Sequence, residues 1–340
     1  MCNPRSLRFC LFTGTLCISE PCCLNNHLMA AFNLTPSDTP TFILTGIPGL
    51  EDAHAWIAIP FATCYTLCLL GNFSVLFMVG KEQTLHQPMY LFFCMLALTD
   101  IVISTCVVPK ALGIFWFNLK GITLSGCLTQ NTFLSVASLM QAAVLVAMAF
   151  DRYVAICNPL RYATILSNAR IAKLGLVIFI RGILCVLPVP LMLSRLPFCD
   201  NHIIPHTYCE GIAVAKISCG DHTFLMLYDL VMLLILGGID LTLIGLSYCL
   251  IIRAVLRISS KKAHQKALNT CMGHISVMLM SFTFYLFSNL THRFGQGIAP
   301  HVHIILSNVY LLVPPMLNPI IYGVKTKEFH DKMRKNIFRR

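Results

Sequence analysis

Apolar runs of roughly transmembrane length recur seven times along the chain, near 56–79, 89–112, 124–150, 171–193, 223–252, 270–290 and 302–323, with short polar stretches between them. About twenty apolar residues make a helix long enough to cross the hydrocarbon core of a bilayer. In lipid, only a helix or a closed barrel satisfies its own backbone. The short alternating segments of a membrane barrel are missing from this chain. The pattern therefore predicts an all-α membrane protein built as a seven-transmembrane helix bundle.

Composition strengthens that picture. Of 340 residues, 56% are hydrophobic and 11% charged, against about 25% charged in ordinary globular domains. Mean hydropathy is +0.74. The formal net charge of +11 first suggests a nucleic-acid partner, but its placement points elsewhere. Lys81, Arg152, Arg161, Arg170, Lys173, the group Arg253, Arg257, Lys261, Lys262 and Lys266, and seven basic residues from Lys325 to Arg340 make up 17 of the 25 lysines and arginines. All fall in the connections on one side of the bundle or at their edges. By the positive-inside rule that side is cytoplasmic, which puts the N-terminus outside and the C-terminus inside. The charge is topological, with membrane lipid as its neighbour, and no nucleic acid is expected. The organisation expected is an atypical extension at 1–28 upstream of Met29, an outer N-terminus at 29–55, the helical domain at 56–323 and a basic tail at 324–340.

Most of the 17 cysteines lie inside spans, where a small apolar packing residue is the ordinary reading. Four do not: Cys127 at the outer start of the third span, and Cys199, Cys209 and Cys219 in the long connection after the fourth. These face the oxidising side. Four cysteines allow three pairings, and the residues alone leave the choice open.

The stretch MAFDRYVAICNPLRY at 148–162 sets Asp151, Arg152 and Tyr153 at the inner end of the third span. Together with NPIIY at Asn318–Tyr322, it resembles the rhodopsin-like G-protein-coupled receptors. Narrower motifs resemble the odorant receptors: Gly71-Asn72, LHQPMYLFFCMLALTD at 85–100, Ser247-Tyr248, KALNTCMGH at 266–274 and PPMLNPIIYG at 314–323. HRFG at 292–295, GIPGLE at 46–51 and the long second outer loop are similar to the class I, fish-like branch. The resemblance covers roughly residues 40–330. It implies disulfides Cys127–Cys209 and Cys199–Cys219, an odorant as ligand and a heterotrimeric G protein as partner, through the stimulatory pathway that raises cAMP. It implies neither enzymatic activity nor a cofactor.

The motifs also have physical readings. Cys127 and Arg152 are separated by about 37 Å of helix, so one end of the third span is tied outside while the other reaches the cytoplasm. Arg152 can pair with Asp151 at rest and become available to a partner when neighbouring helices separate, a switch between two states a few kcal/mol apart. Tyr153, Tyr248, Asn318, Pro319 and Tyr322 belong to the same coupling region by resemblance. Pro314, Pro315 and Pro319 remove backbone donors from the seventh span, and in lipid neighbouring polar groups must make up the loss. Asn72, Asp100 and Asn318 are candidates, expected to cluster with Gln141. Where the family usually carries Glu, this chain has Gln141, which puts a two-carboxylate sodium site in doubt.

The outer halves of the third, fifth, sixth and seventh spans should line the ligand pocket. Ser135, Ser138 and Leu139 share one face of the third, and Tyr285, Asn289 and Arg293, spaced by four, share one face of the sixth. A guanidinium above an apolar pocket suits a carboxylate, held bidentately, and class I receptors are associated with carboxylic acids. Arg181 and Asp240 lie within the fourth and fifth spans, and the sequence offers no means of pairing them. His206, Cys209 and Glu210 have the ligand types of a metal site, but a disulfide would consume Cys209, so no metal is expected. Asn33 heads a glycosylation sequon, Asn33-Leu34-Thr35. The competing functional classes are a chemosensory receptor outside olfaction and a membrane transporter; seven spans without inverted repeats weigh against the transporter.

Overall fold

The computed structural model describes residues 40–199, 202–257, 265, 271, 275–283, 286 and 299–325, without the side chains of Pro300 and of residues 322–325. The extension at 1–28, Asn33, Tyr285, Asn289, Arg293, the side chain of Tyr322 and the tail beyond Lys325 lie outside these residues.

Six helices among the described residues are long and apolar enough to cross a membrane. They contain α1 (His54–Lys81), α2 (Pro88–Phe117), α3 (Leu124–Cys157), α4 (Asn168–Val186), α5 (Thr223–Leu256) and α7 (Pro300–Lys325). Between α5 and α7, residues 275–283 are helical and form the described part of α6, with Val277, Met278 and Phe282 buried. Most helices run a few residues past the apolar runs, because caps end them and hydropathy does not. Pro88 opens α2 at its first turn, where no backbone donor is needed. Asn118 closes it in the left-handed conformation, φ 55°. Thr123 caps α3 by accepting from the Gly126 amide at 3.2 Å. The fourth apolar run, one helix by pattern, is interrupted at Leu187 and resumes as Pro188–Leu193.

A three-stranded sheet covers the disulfide-bearing end of the bundle, an element that the helical pattern does not announce. β1 (Thr41–Leu44) lies between β2 (Gly121–Thr123), antiparallel with Thr41 opposite Thr123, and β3 (Ile203–Ile204), parallel with Ile43 opposite Ile203. Phe42 and Leu44 point inward and are fully buried, while Ile43 faces out, the period of a half-buried strand. GIPGLE follows directly. Gly46 has φ +82°, and a Cβ there would come within 2.8 Å of the His54 ring. That ring is buried, packs 4.8 Å from Phe115 and lies 3.3 Å from the Ile47 amide. Only glycine both adopts this backbone and leaves space for the imidazole.

Two large apolar cores, with a smaller cluster around Ile103, Leu134, Tyr208 and Leu311 between them, pack the described residues. One joins the sheet, the loops and the short helix Pro188–Leu193 to the disulfide-bearing ends of α1, α2, α3, α5 and α7 around Phe42, Leu44, Cys127 and Cys209. The other lies toward the Arg152 end, around Tyr90, Phe92, Met148 and Tyr248. Between them sit the polar residues and cavities.

Candidate functional site

Helix α7 needs outside help. Pro319 has no N–H, so the carbonyl four residues earlier, that of Pro315, loses its helical donor. Asn72 on α1 replaces it, donating from Nδ2 to the Pro315 oxygen at 3.0 Å and to the Cys68 oxygen at 2.9 Å. The residue before it makes this reach possible: a Cβ on Gly71 would stand 2.6 Å from the Pro319 ring. The Gly71-Asn72 pair is thus one device, close approach plus a substitute donor. Replacing Asn72 by alanine is expected to cost about 1–3 kcal/mol, the desolvation of an orphaned buried carbonyl. The loss should be read as a lowered unfolding temperature of purified receptor.

One turn further along α7, Asn318 Nδ2 donates to the Asp100 carboxylate at 2.9 and 3.2 Å, and Gln141 Nε2 on α3 donates to the same carboxylate at 2.6 Å. All three side chains are buried. The cluster ties α2, α3 and α7 together. It does not fit a sodium ion: two amide N–H groups face the carboxylate where a cation would need oxygens. Gln141 turns its amide nitrogen, and not its oxygen, toward Asp100.

At the far end of α3, Arg152 donates to Asp151 through Nε at 2.8 Å and also through Nη2. Tyr162, in the short helix Tyr162–Ile165, donates from its hydroxyl to the other carboxylate oxygen at 2.7 Å. Burial and the Asp151 charge push the Tyr162 hydroxyl well above the usual tyrosine range, so it stays a donor. Asp151 is buried and Tyr153 half-buried. Tyr248 of α5 is also buried, and its hydroxyl has no partner among the described residues.

The opposite end carries two disulfides, Cys127–Cys209 and Cys199–Cys219. The first fastens the long connection to α3, and the chain around it plugs the bundle: His206, Thr207, Tyr208 and Cys209 are all buried. Gln130 completes the fastening by accepting from the Cys209 amide at 2.9 Å and donating to the Cys106 oxygen of α2 at 2.7 Å. Thr207 donates to Asn308 of α7 at 2.9 Å. Neither Gln130 nor Asn308 stands out in the sequence, since their partners lie 79 and 101 residues away. His206 lies 3.7 Å from Glu210, and no cluster of three metal-ligating side chains occurs among the described residues.

Beneath this plug lies a cavity of about 180 Å³. Ser135, Ser138 and Leu139 line it from α3, Tyr228 and Asp229 from α5, and Glu210 from the loop. It shares lining residues, Ser138 and Leu139 among them, with a smaller chamber of about 30 Å³ bounded by Gln141, Asp240, Ser281 and Phe282. Beside that chamber Arg181 and Asp240, unpaired in the sequence reading, meet: Nη2 is 3.3 Å from the nearer carboxylate oxygen. The cavity is mainly apolar in residue type with a few convergent polar groups, the usual make-up of a small-molecule site.

A family model described as olfactory receptor matches residues 61–340. Human olfactory receptor 52P1 is 49% identical over 305 residues, 90% of this chain and 95% of that protein. Human olfactory receptor 52N4 is 47% identical, over 89% of this chain and 95% of its own length. Human olfactory receptor 52K2 is 46% identical, over 90% and 97%.

Proposed function

Because the chain belongs to the olfactory receptor family, in its class I branch, we propose that it binds a small polar-headed odorant in the cavity beneath the Cys127–Cys209 disulfide and activates a stimulatory G protein at the Arg152 end. The family is one of multi-pass cell-membrane receptors and not of enzymes. In this reading the disulfide-bearing end faces outward and the basic connections face the cytoplasm. The observation that carries the ligand reading is the cavity: bordered by the buried loop at Tyr208 and Glu210, lined by both apolar and polar side chains, with Ser135, Ser138 and Tyr228 supplying hydroxyls.

The head group is the finer question. Glu210, with His206 3.7 Å away, and Asp229 both line the cavity, so an anionic ligand there calls for a cation of its own. Arg293 is the proposed cation, with Asn289 and Tyr285 four and eight residues before it in the sequence. A carboxylic acid is then the first ligand class. The lining carboxylates favour a second, an aliphatic amine.

A cAMP reporter in transfected cells, given straight-chain acids and amines, separates them. Activation by acids that Arg293→Ala weakens by tenfold or more supports the first class, in keeping with the about 2–5 kcal/mol of a desolvated charge pair. Activation by amines with Arg293→Ala harmless replaces the first class by the second. Arg152→Ala is expected to abolish the cAMP response to either. Ligand-driven substrate flux without cAMP would sink the receptor mechanism altogether.

A further inference from the structure

We infer that the small chamber below the main cavity is a second polar subsite that takes a ligand hydroxyl, so that preferred ligands are polar at both ends. The inference rests on the reading of the main cavity as the odorant site and deepens it. Three observations meet at the chamber. The first is adjacency: Ser138, Leu139, Leu236 and Tyr310 line both spaces, so only these side chains separate a ligand seated above from the lower one. The second is Ser281 on α6, whose hydroxyl is buried and has no hydrogen-bond partner among the described residues, and which lines the chamber.

The third is Asp240. It also lines the chamber, and Arg181 reaches its carboxylate through one nitrogen only, at 3.3 and 3.4 Å. Such long contacts leave the carboxylate with accepting capacity to spare. A donor-acceptor serine and an acceptor-only carboxylate at one small space define their complement closely. A hydroxyl can accept from Ser281 and donate to Asp240 at once, whereas a carboxylate would meet Asp240 with like charge and a methyl would satisfy neither. A volume of about 30 Å³ accommodates a water-sized group, which fits a terminal CH2OH reaching in from above. A hydroxyl entering there reproduces the hydrogen bonds of any water it displaces.

The test uses full-length receptor in cells and matched probes that differ at one terminus: straight-chain acids of six to ten carbons against the corresponding ω-hydroxy acids, and alkylamines against the corresponding amino alcohols. Because the chamber sits at a fixed depth, the hydroxylated member is expected to be about tenfold more potent at one or two adjacent chain lengths and no better elsewhere, the worth of a good buried hydrogen bond. Ser281→Ala, which leaves only the Asp240 acceptor, is expected to cut that potency ratio to about threefold, and Ser281→Val, which fills the space with methyls, to invert it. Surface labelling accompanies each variant; if the alanine variant fails to reach the surface, Ser281→Cys is read in its place, with an intermediate ratio expected. Responses to the parent probes with no gain from the hydroxyl at any length overturn the subsite alone. So does a gain that Ser281→Ala leaves undiminished. Silence toward every probe overturns the odorant-cavity reading, and the subsite with it.

Discussion

Replacing Asp240 by leucine is expected to destabilise the receptor by about 3–5 kcal/mol, the cost of removing one partner from a buried ion pair. Arg181 lies near the middle of the fourth membrane-crossing segment, which runs from Asn168 to Leu193. Without the carboxylate at 3.3 Å its guanidinium faces the apolar interior of the bilayer uncompensated. Snorkelling offers limited relief, because about half the helix lies on either side of it. The double variant Arg181→Leu/Asp240→Leu removes both charges and is expected to return to within about 1–2 kcal/mol of the native receptor, since apolar replacement of such a pair is often neutral. Thermal unfolding of detergent-purified protein measures all three. A single variant as stable as the native protein would show that the pair bears no load.

The next largest effect is expected at Gln141. Gln141→Leu keeps the volume but strips one donor from the Asp100 carboxylate, leaving that of Asn318, at a cost of about 1.5–3 kcal/mol for a hydrogen bond to a charged group. Gln141→Glu tests the same contact differently. It sets a second carboxyl beside Asp100 at a distance now spanned by a 2.6 Å hydrogen bond, and two such groups cannot both stay ionised unaided. That variant is expected to acquire a stability that rises with sodium concentration, whereas the native receptor should show no specific sodium response. A native receptor stabilised by sodium but not by the same concentration of choline would refute the account of the cluster.

The two charges within the fourth and fifth spans show what sequence reading lacks. Arg181 and Asp240 are 59 residues apart, on separate helices, and no periodicity relates one helix's rotation to another's. The same holds for Gln130 and Cys209, Thr207 and Asn308, and the strands of the cap, whose partners are set by loop closure and not by local pattern. By contrast, the meaning of Pro319 was half legible. A proline inside a membrane helix must orphan a carbonyl, and the nearby asparagines were evident candidates. Which asparagine serves it depends on how closely α1 approaches α7. Gly71 fixes that approach by leaving out a Cβ.

By itself, then, the sequence determined the class of object. Runs of apolar residues long enough for a bilayer, basic residues gathered at one side, and short motifs in a fixed order are one-dimensional signals, written residue by residue because lipid imposes the same demand on each span separately. Only the tertiary structure decided the chemistry between spans. It turned Gln141 to Asp100 as an amide donor, set Asp240 between Arg181 and a small chamber, and folded His206 to Cys209 down as a lid. Those outcomes depend on the distances and rotations of helices, and such quantities exist only once the helices have packed.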